Sequence, residues 1–189
     1  NLAPDQVITL ERDNIEVRFI ERSAGRKAAK SMLDSARRAR KKLAGFGNEA
    51  ENTNVTIHLI DPLVHNGELL SSGTIGDTAT GQMWCVVSAE SPAEDPIRAM
   101  ALIFGASFPG AGDFEPLIAG YGLHRAGQHT APAANWTELE EPARTQTAAA
   151  FVHHLVEQTN DETVREFLAS PPELVGFLRA KHFGSDVPP

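Results

Sequence analysis

One feature restricts the fold of this chain more than any other: two strand-like segments flank a long amphipathic helix. Residues 15–21 alternate apolar and polar side chains with period two, and residues 54–60 repeat the pattern before ending near a proline. Between them, apolar residues recur every three or four positions from 24 to 44, which predicts a helix with one buried face. Gly45 and Gly47 end that helix. We therefore expect a strand–helix–strand unit in an α+β fold.

The remainder of the chain is predicted to be mostly helical. The apolar segment 83–88 predicts a third, more deeply buried strand, whereas the glycine-rich segment 64–82 is predicted as a loop with at most a short edge strand. Apolar spacing then predicts helices at 92–106, 115–124, 143–158, 161–169 and 172–181. Glycines within the second of these helices indicate close packing.

These elements predict a single domain over 1–189. Residues 15–90 are expected to form a small mixed sheet of three or four strands beside the long N-terminal helix. Residues 91–181 are expected to form the helical part, which includes a C-terminal helical layer.

Charge is distributed unevenly along the chain. The chain has 25 acidic and 17 basic residues and a formal net charge of -8, which argues against a general nucleic-acid binder. Eight of the basic residues nevertheless lie between Arg26 and Lys42, with Asp34 as the single acid among them. We interpret this basic helix as a solvated helix face. The alternative is a module that binds anionic polymers or lipids.

Cysteine content and hydropathy exclude several other classes. Cys85 is the single cysteine, so an intramolecular disulfide and a cysteine-based zinc cluster are excluded, and a buried, inert thiol is expected. No segment reaches the roughly 18 apolar residues that a membrane-spanning helix needs. We therefore predict no membrane span in this chain.

The order of these elements, together with three segments, resembles the gluzincin branch of the zincin metallopeptidases, the peptidase MA-like domains. In that family a strand, a long helix, a second strand and an edge strand precede the helix that carries H-E-x-x-H. The segment 115–124 resembles the family's next helix, with its W-L-x-E-G-x-A-x-Y phrase and zinc-binding Glu. The segments 144–158 and 161–168 resemble the family's helical region downstream of that phrase. The resemblance implies a zincin-like fold over most of residues 15–170.

The residues that zinc hydrolysis requires are missing from the matching positions. That chemistry needs two His at i and i+4, a Glu beside the first, and a further ligand. Residues 95–104 contain neither His nor Glu, and Ala119 stands at the position of the third ligand. We therefore predict a non-catalytic metallopeptidase-like domain, a pseudoenzyme without catalytic residues, metal or cofactor, that acts as a binding or structural module.

The resemblance also suggests where a partner would bind. A groove left by the lost centre would lie between the 92–106 helix, the 115–124 helix and the third strand, and would accept a peptide or protein partner. Its expected polar lining is Arg98, Glu115, Tyr121 and His124. The family implies a bacterial protein that is secreted or attached to the cell envelope, with the cytoplasm as the alternative. We expect the chain to be part of a larger polypeptide.

Histidine provides the second alternative, a metal-dependent hydrolase with non-standard ligands. None of the seven His forms an i, i+4 pair. His124 and His129 would lie on different faces of a continuous helix, but a loop between them can bring them together, with Glu115 as a further ligand. His153 and His154 point about 100° apart on a helix, so at most one of them can face a given site.

Overall fold

The computed structural model describes residues 6–47, 52–65, 68–70, 73–88, 93–112, 114–129 and 143–170. The strands are β1 (Val7–Arg12), β2 (Ile15–Ile20), β3 (Val55–Ile60), β4 (Leu63–His65), β5 (Glu68–Leu70), β6 (Gly73–Asp77) and β7 (Gln82–Val86). The helices are α1 (Gly25–Lys42), α2 (Ile97–Gly105), α3 (Glu115–Ala126), α4 (Ala143–Gln158) and α5 (Asp161–Ala169). Among these residues, no helix is long and apolar enough to cross a membrane.

Five strands form a mixed sheet in the order β1-β2-β3-β7-β6, and β4 pairs with β5 as a separate hairpin. The central pairs β2–β3 and β3–β7 are parallel, whereas both outer pairs are antiparallel. The predicted α+β class and mixed sheet are thus confirmed, but the expectation of three or four strands was wrong. The additional strand is β1, which pairs with β2 through a two-residue turn, whereas the optional edge strand within the segment 64–82 is present as β6.

Helix α1 connects the parallel strands β2 and β3 and covers one face of the sheet. Alternate strand residues such as Val17 and Ile57 are fully buried on that face. The helix contributes Ala29, Met32 and Ala36 to the same core. The spacing that predicted a buried helix face was therefore correct, because the apolar positions repeat with the helical period.

The basic side chains of α1 lie mainly on the side facing away from this core, and several have protein partners. Arg37 Nε lies 2.6 Å from Asp13 Oδ2, and Arg40 donates to the carbonyl of Thr53 at 2.7 Å. Lys42 donates to the carbonyl oxygen of Ala126 at 3.5 Å. Some basic side chains of this helix therefore form contacts within the protein.

Helix α2 begins at Ile97, later than the predicted start at residue 92. Pro96 precedes it and lacks the N–H that an earlier helix would need, and a proline also disfavours helical geometry at the residue before it. The carboxylate of Asp95 instead accepts a hydrogen bond from the Ile97 amide at 3.0 Å. The predicted helix at 172–181 lies outside the described residues.

Helix α3 packs between α2 and α4, and its glycines mark the two contacts. A Cβ at Gly122 would lie 2.8 Å from the Cβ of Ala101 in α2. A Cβ at Gly120 would lie 2.7 Å from the backbone carbon of Ala148 and 2.8 Å from the amide nitrogen of Ala149 in α4. Glycine is needed at both positions because the neighbouring helix occupies the space that a side chain would take.

Candidate functional site

The four residues expected to line a groove lie in different surroundings. Arg98 is half-buried on α2, and Glu115 is exposed at the first residue of α3. His124 lies nine residues further along that helix, a rise of about 13.5 Å. Tyr121 is 1 % exposed and stacks on Phe46 with ring centroids 4.4 Å apart. The structure therefore does not bring Glu115 and His124 into one small site.

The contact between α2 and α3 is close and apolar. Besides its approach to Ala101, a Cβ at Gly122 would lie 3.0 Å from the carbonyl oxygen of Ile97. Ala119, at the position where the resemblance would place a zinc ligand, is 2 % exposed. The sequence of α2 contains no His, Cys, Asp or Glu. The residues of this contact can exclude water, but they offer no set of metal ligands.

Tyr121 instead belongs to a polar network between α3 and α5. Its hydroxyl donates to Asp161 Oδ1 at 2.9 Å, and Arg125 Nη1 lies 3.0 Å from the same oxygen. Arg165 Nε lies 3.2 Å from Asp161 Oδ2 and extends the network along α5. Burial, reinforced by the neighbouring Asp161 carboxylate, raises the pKa of Tyr121 far above its usual value. This tyrosine is a neutral hydrogen-bond donor that stabilises the helix pair.

Three histidines meet near the C-terminal end of α3. His124 lies in the last turn of this helix, His153 lies in α4, and His129 follows the turn that ends α3. The rings of His129 and His153 stack with centroids 3.8 Å apart, and those of His124 and His153 lie 5.4 Å apart. One ligand nitrogen from each ring lies within 4.8 Å of the others.

Local backbone geometry positions two members of this cluster. Gly127 adopts φ 77°, and its amide donates to the carbonyl of His124 at 2.9 Å. The amide of Gln128 donates to the carbonyl of Leu123, also at 2.9 Å, which completes a Schellman-type helix end. This sharp turn reverses the chain so that His129 returns toward the helix.

The environment of His124 favours its neutral imidazole. Partial burial lowers the pKa of His124, and the neighbouring His153 and His129 lower it further. The Nδ1 atoms of His124 and His153 are buried and have no hydrogen-bond partner among the described residues. A neutral imidazole offers a lone pair, so these rings are suited to accept a hydrogen bond or to bind a metal ion.

The sequence identified two members of this cluster and missed the third. As an alternative, it allowed the intervening loop to bring His124 and His129 together, but it added Glu115, which lies at the far end of α3. The adjacent pair divides as expected, since His153 faces the cluster whereas His154 is exposed. The spacing of the residues is consistent with the approach of His153. Gly120 contacts Ala149, and His124 and His153 each follow their member of this pair by four residues, one turn further along each helix.

A comparison of the chain with known protein families, characterised proteins and solved structures gave no significant match.

Proposed function

We propose that this chain is a zincin-like domain without peptidase activity that serves as a binding or structural module. The order β2, α1, β3, β6, β7, α2 and α3, with the β4–β5 pair inserted after β3, supports the proposal because it agrees with the element order on which the resemblance to gluzincins is based. A secreted or envelope-attached location and a place within a larger polypeptide belong to the same proposal.

The single observation that carries the loss of activity is the packing between α2 and α3. A peptidase centre there would need imidazoles and a carboxylate directed at one zinc ion. The contact instead joins Gly122 to Ile97 and Ala101, and Ala119, where the resemblance would place the third ligand, is a buried alanine. Inserting a zinc-binding set at this place would require larger side chains where the two helices already touch.

The sheet edge beside α2 is the surface best suited to bind a peptide. Strand β6 is the last strand of the five-stranded sheet, and Gly76 in it lies 4.0 Å, measured from an ideal Cβ, from the Cβ of Ala99 in α2. An edge strand can pair with an extended peptide through backbone hydrogen bonds. We therefore place the binding of an extended peptide segment along β6.

Hydrogen exchange and a proteolysis assay test the two parts of this proposal. The protein is mixed with a set of extended, uncharged heptapeptides, and amide exchange is compared with and without peptide. We expect protection in Gly73–Asp77 and in α2, while β1, the opposite edge of the same sheet, serves as an internal control. Equal protection at both edges, or none at β6, would contradict binding at this edge.

The proteolysis assay addresses activity separately. We expect no cleavage of denatured casein by the protein equilibrated with zinc. Cleavage that disappears on chelation would contradict a non-catalytic role and would favour the alternative, a metal-dependent hydrolase with ligands outside the α2–α3 contact. The three-histidine cluster is the observation that favours this alternative.

A further inference from the structure

The geometry of the three-histidine cluster is close to that of a metal site. Since the three ligand atoms all lie within 4.8 Å of one another, some point lies within about 2.8 Å of all three. Zinc–imidazole bonds measure about 2.0–2.1 Å. Each nitrogen therefore has to move inward by about 0.7 Å or less, which side-chain rotation can supply.

We propose that His124, His129 and His153 bind one divalent transition-metal ion of the zinc class. Imidazole nitrogens suit zinc, copper and nickel, whereas magnesium and calcium prefer oxygen ligands. Three protein ligands leave a fourth position for water. The site lies on the α4 side of α3, so it is distinct from the α2–α3 contact and does not rest on the proposed function.

Two buried nitrogens support this assignment. The Nδ1 atoms of His124 and His153 come from different helices, and neither has a hydrogen-bond partner among the described residues. Buried polar atoms in folded proteins nearly always have a partner, so two such atoms in one cluster require an explanation. A shared metal ion satisfies both.

Glu157 supplies the support that metal-binding histidines usually have. Its Oε1 lies 3.5 Å from His153 Nε2, one turn further along α4. A carboxylate behind the ring favours the tautomer with a proton on Nε2, which leaves the Nδ1 lone pair for the metal. Glu157 is thus a positioning residue, and its effect should be smaller than that of the ligands.

Metal binding requires one rearrangement. The rings of His129 and His153 are nearly parallel, with 16° between their planes. A metal ion lies in the plane of each imidazole that binds it, so these rings must tilt toward a common point. The bound ion would then join α3, the turn at its C-terminal end and α4.

Metal stoichiometry tests the proposal. Protein without an affinity tag is stripped with chelator, equilibrated with zinc chloride, desalted and analysed by plasma mass spectrometry. We expect one zinc ion per chain, and a visible absorption band typical of tetrahedral coordination when cobalt(II) replaces zinc. His124→Ala, His129→Ala and His153→Ala should each weaken zinc binding by at least about a hundredfold, and Glu157→Gln by about tenfold.

His154→Ala is the matched control, because it removes an exposed imidazole one residue away on the same helix. It should bind zinc as the unmodified protein does. Circular dichroism without zinc checks that each variant folds. If an alanine variant does not fold, the glutamine variant at the same position replaces it, for example His153→Gln. A stoichiometry well below one, or equal losses in His154→Ala and His153→Ala, would overturn the proposal. Zinc binding without casein cleavage supports both proposals, whereas cleavage lost in His153→Ala contradicts only the non-catalytic role.

Discussion

The two sides of α3 differ in what they bring together. Toward α2, the helix presents Gly122 to an apolar surface, and the contact contains no cluster of titratable groups among the described residues. Toward α4, it presents Gly120 and then His124, and the polar rings gather one turn beyond the close approach. Both contacts use glycine for close packing, but only the second combines it with metal-binding chemistry.

This difference shows that a resemblance in element order does not predict where the reactive side chains lie. The order of elements predicts a site at the α2–α3 contact, where the residues are apolar. The histidines lie on the opposite side of the same helix. His124 follows Gly120 by four residues, so it lies on nearly the same helix face as the glycine that contacts α4. A site must therefore be argued from its own residues.

The largest effect is expected for Gly120→Ala. The new Cβ would meet two backbone atoms of α4 at less than 3.0 Å, and backbone cannot rotate away. We expect a loss of about 3 kcal/mol in the free energy of unfolding, measured by urea denaturation. Gly112→Ala is the control, since Gly112 is exposed and a Cβ there meets nothing within 4 Å. Equal stability of the two variants would contradict the close α3–α4 contact.

A smaller effect is expected for Gly122→Ala on the other side of the helix. The nearest atom is the Cβ of Ala101 at 2.8 Å, and the first backbone atom, the Ile97 carbonyl oxygen, lies at 3.0 Å. We expect a loss of about 2 kcal/mol by the same measurement. Zinc binding should be unchanged in this variant and weakened in Gly120→Ala, because only the latter displaces α4 from α3. The reverse result would place the metal on the α2 side.

Tyr121→Phe should have a moderate effect. The change removes the hydroxyl that donates to Asp161 but keeps the ring that stacks on Phe46. We expect a loss of about 1.5 kcal/mol in the free energy of unfolding, typical of a hydrogen bond to a charged group. Combining it with Asp161→Asn should give less than the sum of the two single losses. Strict additivity would show that the hydroxyl and the carboxylate do not interact.

Much of the fold could be predicted from the sequence, and the failures have identifiable causes. Periodicity located α1, β2, β3, α4 and α5 because each buries one regular face. Strand β1 was missed although Asp13 and Asn14, with φ 53° and 58°, form the two-residue turn that polar pairs favour in hairpins. Strand β6 was predicted only as an optional edge strand, because glycines at 73 and 76 weaken its strand pattern.

The candidate site could be predicted only in part. His124 and His129 are close in sequence, so the turn at Gly127 was enough to suggest their approach. His153 comes from a helix 24 residues beyond His129, and its approach depends on the packing of Gly120 against Ala149. Long-range contacts of this kind are set by tertiary packing, which apolar spacing along one helix does not specify.

The last prediction concerns the reactivity of Cys85, which lies in the hydrophobic core, and involves no change in stability. The thiol is fully buried in β7, and burial raises its pKa to about 11. At pH 8 an ordinary thiol is about one quarter thiolate, whereas this one is about 0.1 % thiolate, so its reaction with Ellman's reagent should be at least about two hundredfold slower. Full reactivity should return in guanidinium chloride. Because the ionised fraction rises with pH up to the raised pKa, reaction should quicken about tenfold between pH 8 and pH 9 while the fold persists. Rapid native labelling at pH 8 would instead mean that the core around β7 opens to solvent, because the reagent cannot reach a fully buried thiol in the closed fold.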